Sequence, residues 1–312
     1  MLFIYQTVDD KLLCRSEIQK GCWINLVNPT ESELNRVVKD TGIDYDFIKY
    51  PLDDEEIPRV ELEEEQALII IHAPIITDED VLYDTIPLGM VLNDDYVVTI
   101  CLRDLNLFEE LQSSRAKGIA TFKKTRFIFQ VIQRKTTLFL KYLRDINRRT
   151  EEIENELHKS MRNKELIYLL NLQKSLVYFS TSLRYNSKVM NRLMRGKTVK
   201  MYEEDEDLLE DVIIENTQAI EMADIYSNIT GSSMNAFASL ISNNLSSVMK
   251  FLTAITIIIA IPTMISGFWG MNVDLPFDNS CSNHMLGFYC ILGFAVVVSA
   301  ITAFALKKKD MF

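Results

Sequence analysis

The chain has 312 residues, 48% apolar and 25% charged, with only 10 Gly and 7 Pro. That composition excludes disorder and fibrous repeats. Lys plus Arg is 33 against 44 Asp plus Glu, a formal charge of −11, which argues against a phosphate-binding surface and so against nucleic acid. The charge is unevenly spread: residues 247–312 carry a net of +1, which leaves −12 on the first 246.

In chain order, the first ten residues lack the basic and apolar stretches of a signal peptide, and Asp9 and Asp10 speak against a transit peptide. Residues 1–105 alternate short β-rich runs with brief helices, a small α/β unit. Strands are predicted at Cys22–Val27, Ala67–Ile71, Thr85–Leu92 and Tyr96–Leu102, with Asn93-Asp94-Asp95 turning between the last two. After Pro29, Thr30 and Glu33 have the spacing of a helix capping box. Residues 106–246 form a second region. No Pro and one Gly (Gly118) occur from Leu105 to Gly196, and Ile146, Ile153, Leu157 and Met161 recur at helical spacing, which predicts long, solvent-exposed, bundled helices. A further helix starts near Tyr202. If Gly231 is tolerated, it continues to residue 269, roughly 100 Å at 1.5 Å per residue.

Residues 247–312 are the third region. Phe251–Trp269 and Leu286–Leu306 are free of charge over 19 and 21 residues. A helix crossing the hydrocarbon needs about 20 such residues, so these are two membrane spans beneath a large soluble head. Lys250 precedes the first span, and Lys307, Lys308 and Lys309 follow the second, whereas the loop 271–285 has no Lys or Arg. The positive-inside rule therefore puts both termini in the cytoplasm. Five Cys (Cys14, Cys22, Cys101, Cys281 and Cys290) form no C-x-x-C pair, and reduced thiols are expected in the head.

A lipid-facing helix has no need of ordered polar positions. Yet Asn235, Ser239, Ser242, Ser246 and Met249 follow one another at steps of three or four, and Leu252, Thr256, Ala260, Thr263 and Gly267 continue the row. Residues so spaced share one helix face. A symmetric ring of such helices would enclose a narrow wet path, constricted at Met249 and Leu252. The plainer reading is a small-residue packing face between two helices. Pro262 should kink the span or break it locally. Asn272 offers a neutral amide oxygen where the span ends, and Asp274 and Asp278 add negative charge beside it, which would concentrate cations.

The tripeptide Gly270-Met271-Asn272, closing the first of two spans, resembles the signature of the CorA family of magnesium channels. The segment Met249-Lys250-Phe251-Leu252-Thr253 and the run Trp23-Ile24-Asn25-Leu26-Val27-Asn28-Pro29-Thr30 extend the likeness over essentially the whole chain. The resemblance implies a funnel-shaped homopentamer with an α/β/α cytoplasmic head, a long helical stalk and two transmembrane helices, the first lining the pore. Gly270, Met271 and Asn272 would be its selectivity filter and Ser246, Met249, Leu252, Thr256, Ala260 and Thr263 its lining. The transported ion would be Mg²⁺, with Co²⁺ or Ni²⁺ as further candidates. The family also holds its closed state with intracellular Mg²⁺ bound between carboxylates of neighbouring subunits. On that pattern Asp211 is the long-helix ligand, and its partner is Asp78, Glu79 or Asp80. Departures from the family pattern are Trp269 where Tyr is common, Ser246 where Asn is common, Ala260 where a bulkier residue can narrow the pore, and Asp274 and Asp278 in place of a Glu-containing segment.

The acidic run Glu203-Glu204-Asp205-Glu206-Asp207, with Glu210 and Asp211, reads by itself as a solvated face. His72 reads as a core or edge residue of a strand and His158 as a helix-surface residue, while His284 and Cys281 lack the second pair of ligands that a zinc site needs. No Ser-His-Asp, Cys-His or paired-carboxylate arrangement points to an enzyme, and there is no phosphate-binding G-x-x-x-x-G-K-[ST] loop. Two alternatives stand beside the magnesium channel. One is a zinc transporter of the related ZntB branch, which typically replaces the Met that Met271 keeps. The other is a membrane-tethered helical sensor or scaffold that moves no ion.

Overall fold

The computed structural model describes residues 1–9, 11–77, 82–107, 109, 111, 119–159, 163–196, 199–271 and 284–309. The chain divides into two compact units, Met1–Met234 and Asn235–Phe312. The first is built on a seven-stranded sheet. Its strands are β1 (Leu2–Val8), β2 (Lys11–Arg15), β3 (Trp23–Val27), β4 (Arg59–Glu63), β5 (Gln66–Ile76), β6 (Tyr83–Leu92) and β7 (Val97–Cys101). They lie in the order β2-β1-β3-β7-β6-β5-β4. All pairings are antiparallel except β3 with β7, where Trp23 to Val27 run beside Val97 to Cys101 in parallel.

Both faces of the sheet are covered, which is why the central strands read as continuous apolar runs rather than alternating ones. One face carries Ile24, Leu26, Leu68, Ile70, Val98 and Ile100. It packs on Leu34 and Val37 of α1 (Glu31–Thr41) and on Phe47 and Ile48 of α2 (Tyr45–Lys49). The expected capping box opens α1: the Thr30 N–H donates to Glu33 Oε2 at 2.8 Å, and the Glu33 N–H donates to Thr30 Oγ1 at 3.4 Å. The opposite face turns Trp23, Ile69, Ile71, Met90 and Val97 towards three long helices, α3 (Lys124–Lys159), α4 (Asn163–Arg195) and α5 (Glu203–Trp269). The result is a three-layer α/β/α unit.

The long helices are not the solvent-exposed bundle their charge content suggested. Phe127, Ile128, Val131 and Ile132 of α3 and Val189, Met190 and Leu193 of α4 are buried against the sheet. Beyond it, Phe139, Leu143, Leu176, Phe179, Leu183, Ala219 and Ala223 form a second apolar cluster shared by α3, α4 and α5. Most charged residues lie on the faces turned away from these contacts, as amphipathic helices require; Lys135, buried with its Nζ donating to the Leu105 carbonyl at 2.9 Å, and Asp205 do not.

Polar clamps fix the layers to one another. The Asn186 amide on α4 pairs with β5 as a neighbouring strand would. It accepts from the His72 N–H and donates to the His72 carbonyl, both at 2.8 Å. The His72 ring is half-buried between Ser182 Oγ and the Glu56 carbonyl, and burial pushes its pKa down. Trp23 Nε1 donates to Thr99 Oγ1, which in turn donates to Asn25 Oδ1, each at 2.8 Å, and this relay locks the parallel pair β3–β7. The Tyr83 hydroxyl donates to Asp145, and burial with that bond holds the phenol well above its ordinary pKa. Gly231 is tolerated inside α5 because the helix passes close to α4 there. A Cβ at that position would lie 2.9 Å from Gln173 Nε2.

In the second unit, α5 continues without a break through Pro262 to Trp269, and α6 spans His284–Lys308. Both are long and apolar enough to cross a membrane, and only 6% of the most apolar 18-residue stretch of each is buried.

One packing contact is stringent enough to test. A Cβ at Gly89 on β6 would fall inside the van der Waals envelope of the Pro51 ring. Gly89→Ala should destabilise the first unit by about 1–3 kcal/mol, the usual cost of overpacking a core. Thermal unfolding of the purified protein, followed by circular dichroism, should show the lowered midpoint, and an unchanged midpoint would contradict this close packing.

Candidate functional site

The site is built on the part of α5 that lies in the second unit. Its exposure pattern has two sides. Ala254, fully buried, together with Ile255, Ile258, Ile261, Pro262 and Ile265, loses exposure within the unit. Met249, Leu252, Thr256, Ala260, Thr263 and Gly267 are all exposed, Met249 by 53% and Leu252 by 55%. At 3.6 residues per turn, these two sets are centred about 165° apart around the helix. On α6 a matching face also loses exposure, with Ile291, Ala295, Val298, Ser299 and Thr302 among its members. The expected polar stripe is therefore a real face of α5, and it is turned away from the side that is covered within the chain.

Hydrogen bonding decides what this face presents. Ser246 Oγ donates to the Ser242 carbonyl at 3.0 Å, Thr256 Oγ1 to Leu252 at 2.8 Å and Thr263 Oγ1 to Ile259 at 2.9 Å. Ser239 makes the same bond to Asn235 at 2.9 Å. A hydroxyl has one donor and two acceptor lone pairs. With each donor spent on the helix's own backbone, the lone pairs are what remain to face outward. The stripe is thus an uncharged row of hydrogen-bond acceptors separated by Met249, Leu252 and Ala260. Acceptors suit the outward-pointing hydrogens of water around a cation, and they offer nothing to an anion.

At its end the helix tightens. The Gly270 N–H donates to the Ser266 carbonyl at 3.0 Å and the Met271 N–H to the Phe268 carbonyl at 3.4 Å. No basic residue occupies the last turn. The C-terminal end of a helix carries roughly half a negative elementary charge, which favours a cation just beyond Gly270. Asn272, Asp274 and Asp278 lie outside the described residues, as do Asp78, Glu79, Asp80 and Cys281.

Asp211 is exposed on the early part of α5. The acidic run before it is only partly a solvated face. Glu204 accepts from Arg126 at 2.7 Å, and Asp205, itself buried, lies 3.9 Å from the same guanidinium. Asp205 Oδ2 also accepts from the Tyr202 N–H at 3.2 Å and so caps the helix. Four carboxylates in the first turn are favoured by the positive end of the helix. Among the described residues no three His, Cys, Asp or Glu side chains converge to hold a metal ion. Two features escaped the sequence reasoning, the Arg126 tie and the covered faces of the two apolar helices. No sequence signal marked the second, since Ala254 and Ala295 are buried whereas Ala260 and Ala300 in the same runs are exposed.

The family model described as "CorA-like Mg2+ transporter protein" matches residues 19–308. The chain belongs to that family. The cobalt/magnesium transport protein CorA of Methanocaldococcus jannaschii is 29% identical over 291 residues, covering 92% of this chain and 90% of that one. The magnesium transport protein CorA of Helicobacter pylori is 23% identical over 262 residues, covering 80% and 79%. The complete structure of the M. jannaschii CorA magnesium transporter aligns with a TM-score of 0.82 at 27% identity, over 98% of this chain and 96% of that one. The soluble α/β head, the long helices and the two candidate membrane helices are thus those of a CorA-family protein.

Proposed function

We propose that this protein conducts divalent cations, chiefly Mg²⁺ with Co²⁺ and Ni²⁺ as further candidates, inward through a homopentameric pore, with both termini in the cytoplasm. The observation that carries this reading is the charge-free acceptor stripe on α5, exposed on the side opposite the covered face in a chain of this family. Five copies turned inward would line a path with Ser246, Thr256 and Thr263 as wet rungs and Met249 and Leu252 as dry ones. Gly270, Met271 and Asn272 would form its outer filter, with Asp274 and Asp278 collecting cations at the mouth.

Magnesium gives up its waters reluctantly. A filter that stripped the ion would be slow, and a ring of carboxylates would hold it too tightly to release it. Neutral amide oxygens from five Asn272 side chains, with the Gly270 carbonyls, suit the intact water shell. A divalent ion moving inward gains roughly 4.6 kcal/mol per 100 mV of inside-negative potential, so no nucleotide is needed. Internal Mg²⁺ bound between Asp211 and one of Asp78, Glu79 or Asp80 of a neighbouring copy would stabilise the closed state and so provide feedback.

Three outcomes follow from this reading. Asn272→Ala should abolish growth rescue of a magnesium-transport-deficient strain while leaving assembly intact, and full rescue would remove the filter role. Leu252→Ser should raise resting current several-fold in patches without added inhibitor, by easing wetting of the constriction. Unchanged or lower current would contradict that role.

Asp211→Asn removes a carboxylate that both repels its neighbours and binds the ion. Limited proteolysis across a magnesium titration should show wild type cut readily in chelator and protected by added ion, with the variant's protection less dependent on magnesium. The same midpoint and amplitude in both would put the regulatory site elsewhere.

A further inference from the structure

Among its described residues the second unit carries four ammonium groups and no carboxylate; Asp310, next to Lys309 in the sequence, lies outside them. Lys250 on α5 and Lys307, Lys308 and Lys309 after the second apolar stretch are all exposed. Among the described residues of this unit there is no Asp or Glu at all, and none of the four lysines makes an ion pair there. The lysines after the second stretch have an ordinary explanation, since cations are favoured near a helix C-terminus. Lys250 has none. It sits deep inside a 67-residue helix, far from either end, with no carboxylate one turn away on either side.

Geometry puts the two sets at the same depth. From Lys250 to Gly270 is 20 residues, and from His284 to Lys307 is 23. At 1.5 Å per residue both stretches measure about 30–35 Å, the thickness of a bilayer's hydrocarbon core. All four lysines therefore lie at the end remote from the 271–283 connection. Around α5, Lys250 is about 120° from the acceptor stripe and about 80° from the covered Ala254–Ile258 face, by the same 3.6-residue turn. It is turned away from the path and towards the helix's covered flank. Ser247, exposed one turn earlier, adds a hydroxyl on that side.

We infer that Lys250 and Lys307 to Lys309 form a binding site for the phosphate of an anionic phospholipid at the inner leaflet. This rests on the reading of α5 and α6 as membrane-crossing. A phosphodiester supplies, at the depth where headgroups lie, the countercharge that the single Asp310 cannot give to four ammonium groups, and its acyl chains lie along the exposed apolar sides of the two helices. Juxtamembrane lysines attract anionic headgroups by an amount equal to about fivefold in affinity each.

The test uses the full-length protein purified in nonionic detergent, with phosphatidylglycerol and phosphatidylcholine offered together and retention read by native mass spectrometry. Wild type should retain phosphatidylglycerol preferentially. Lys250→Gln should lower that preference about fivefold and Lys250→Arg should keep it, while joint neutralisation of Lys307, Lys308 and Lys309 should lower it further. Glycerol phosphate, the soluble headgroup, should not displace the lipid. Equal retention of both lipids by wild type, an unchanged preference in Lys250→Gln, or displacement by glycerol phosphate would each overturn the lipid site. Carbonate extraction of cell membranes separates the two levels. Protein that stays in the membrane pellet supports the spanning helices whatever the lipid result, and protein released to the supernatant overturns both.

Discussion

The constraint on which the rest depends is that one helix must satisfy two solvents. Helix α5 begins with four carboxylates in its first turn and then has no acidic residue from Ile225 to Trp269. Water tolerates the first half, whereas hydrocarbon offers no partner for an unpaired backbone group or charge. An α-helix meets both demands because its backbone bonds are internal. The same demand explains the hydroxyls. Ser239, Ser246, Thr256 and Thr263 each return their proton to the backbone, so no donor is left to seek a partner in an apolar medium. What they keep is acceptor character, and acceptors without charge suit a hydrated cation that must also leave.

The soluble unit answers a different problem, how to hold long charged helices in a fixed place. Its solution is a mixed sheet covered on both faces, with Trp23, Thr99 and Asn25 tying the parallel pair and Asn186 imitating a strand against His72. Arg126, near the start of α3, grips Glu204 and Asp205 at the start of α5. Part of the acidic run is therefore committed to holding the helix start, while Asp211 stays exposed.

Local signals in the sequence were strong where burial is continuous or a cap is explicit. Strand β3, the Thr30 capping box, β6, β7 and the whole of α5 were legible in this way. The edge strands β2 and β4 and the half-buried β1 were not. Lys11 and Arg15 on β2, and Arg59, Glu61 and Glu63 on β4, blunt an exposed edge and erase the apolar alternation that marks a strand. The parallel pairing of β3 with β7 joins residues more than seventy apart, and no local pattern encodes it. The long helices were recognised as helices but misjudged as solvent-exposed, because their charge content hides how much of each buries against the sheet. On the site, periodicity sufficed to find the stripe. Which side of the helix is covered could not be read from the periodicity of α5 alone.

The central claim is that the acceptor face of α5 lines the ion's path. Single cysteines can be placed at Thr256 and Ala260 on that face and at Ile258 on the covered face, in a background lacking Cys14, Cys22, Cys101, Cys281 and Cys290. Magnesium flux into liposomes holding each purified variant is then measured before and after a small, charged, water-soluble thiol reagent. Block at Thr256 and Ala260 with no effect at Ile258 is the predicted result. Block confined to Ile258, or equal at all three positions, would contradict the account.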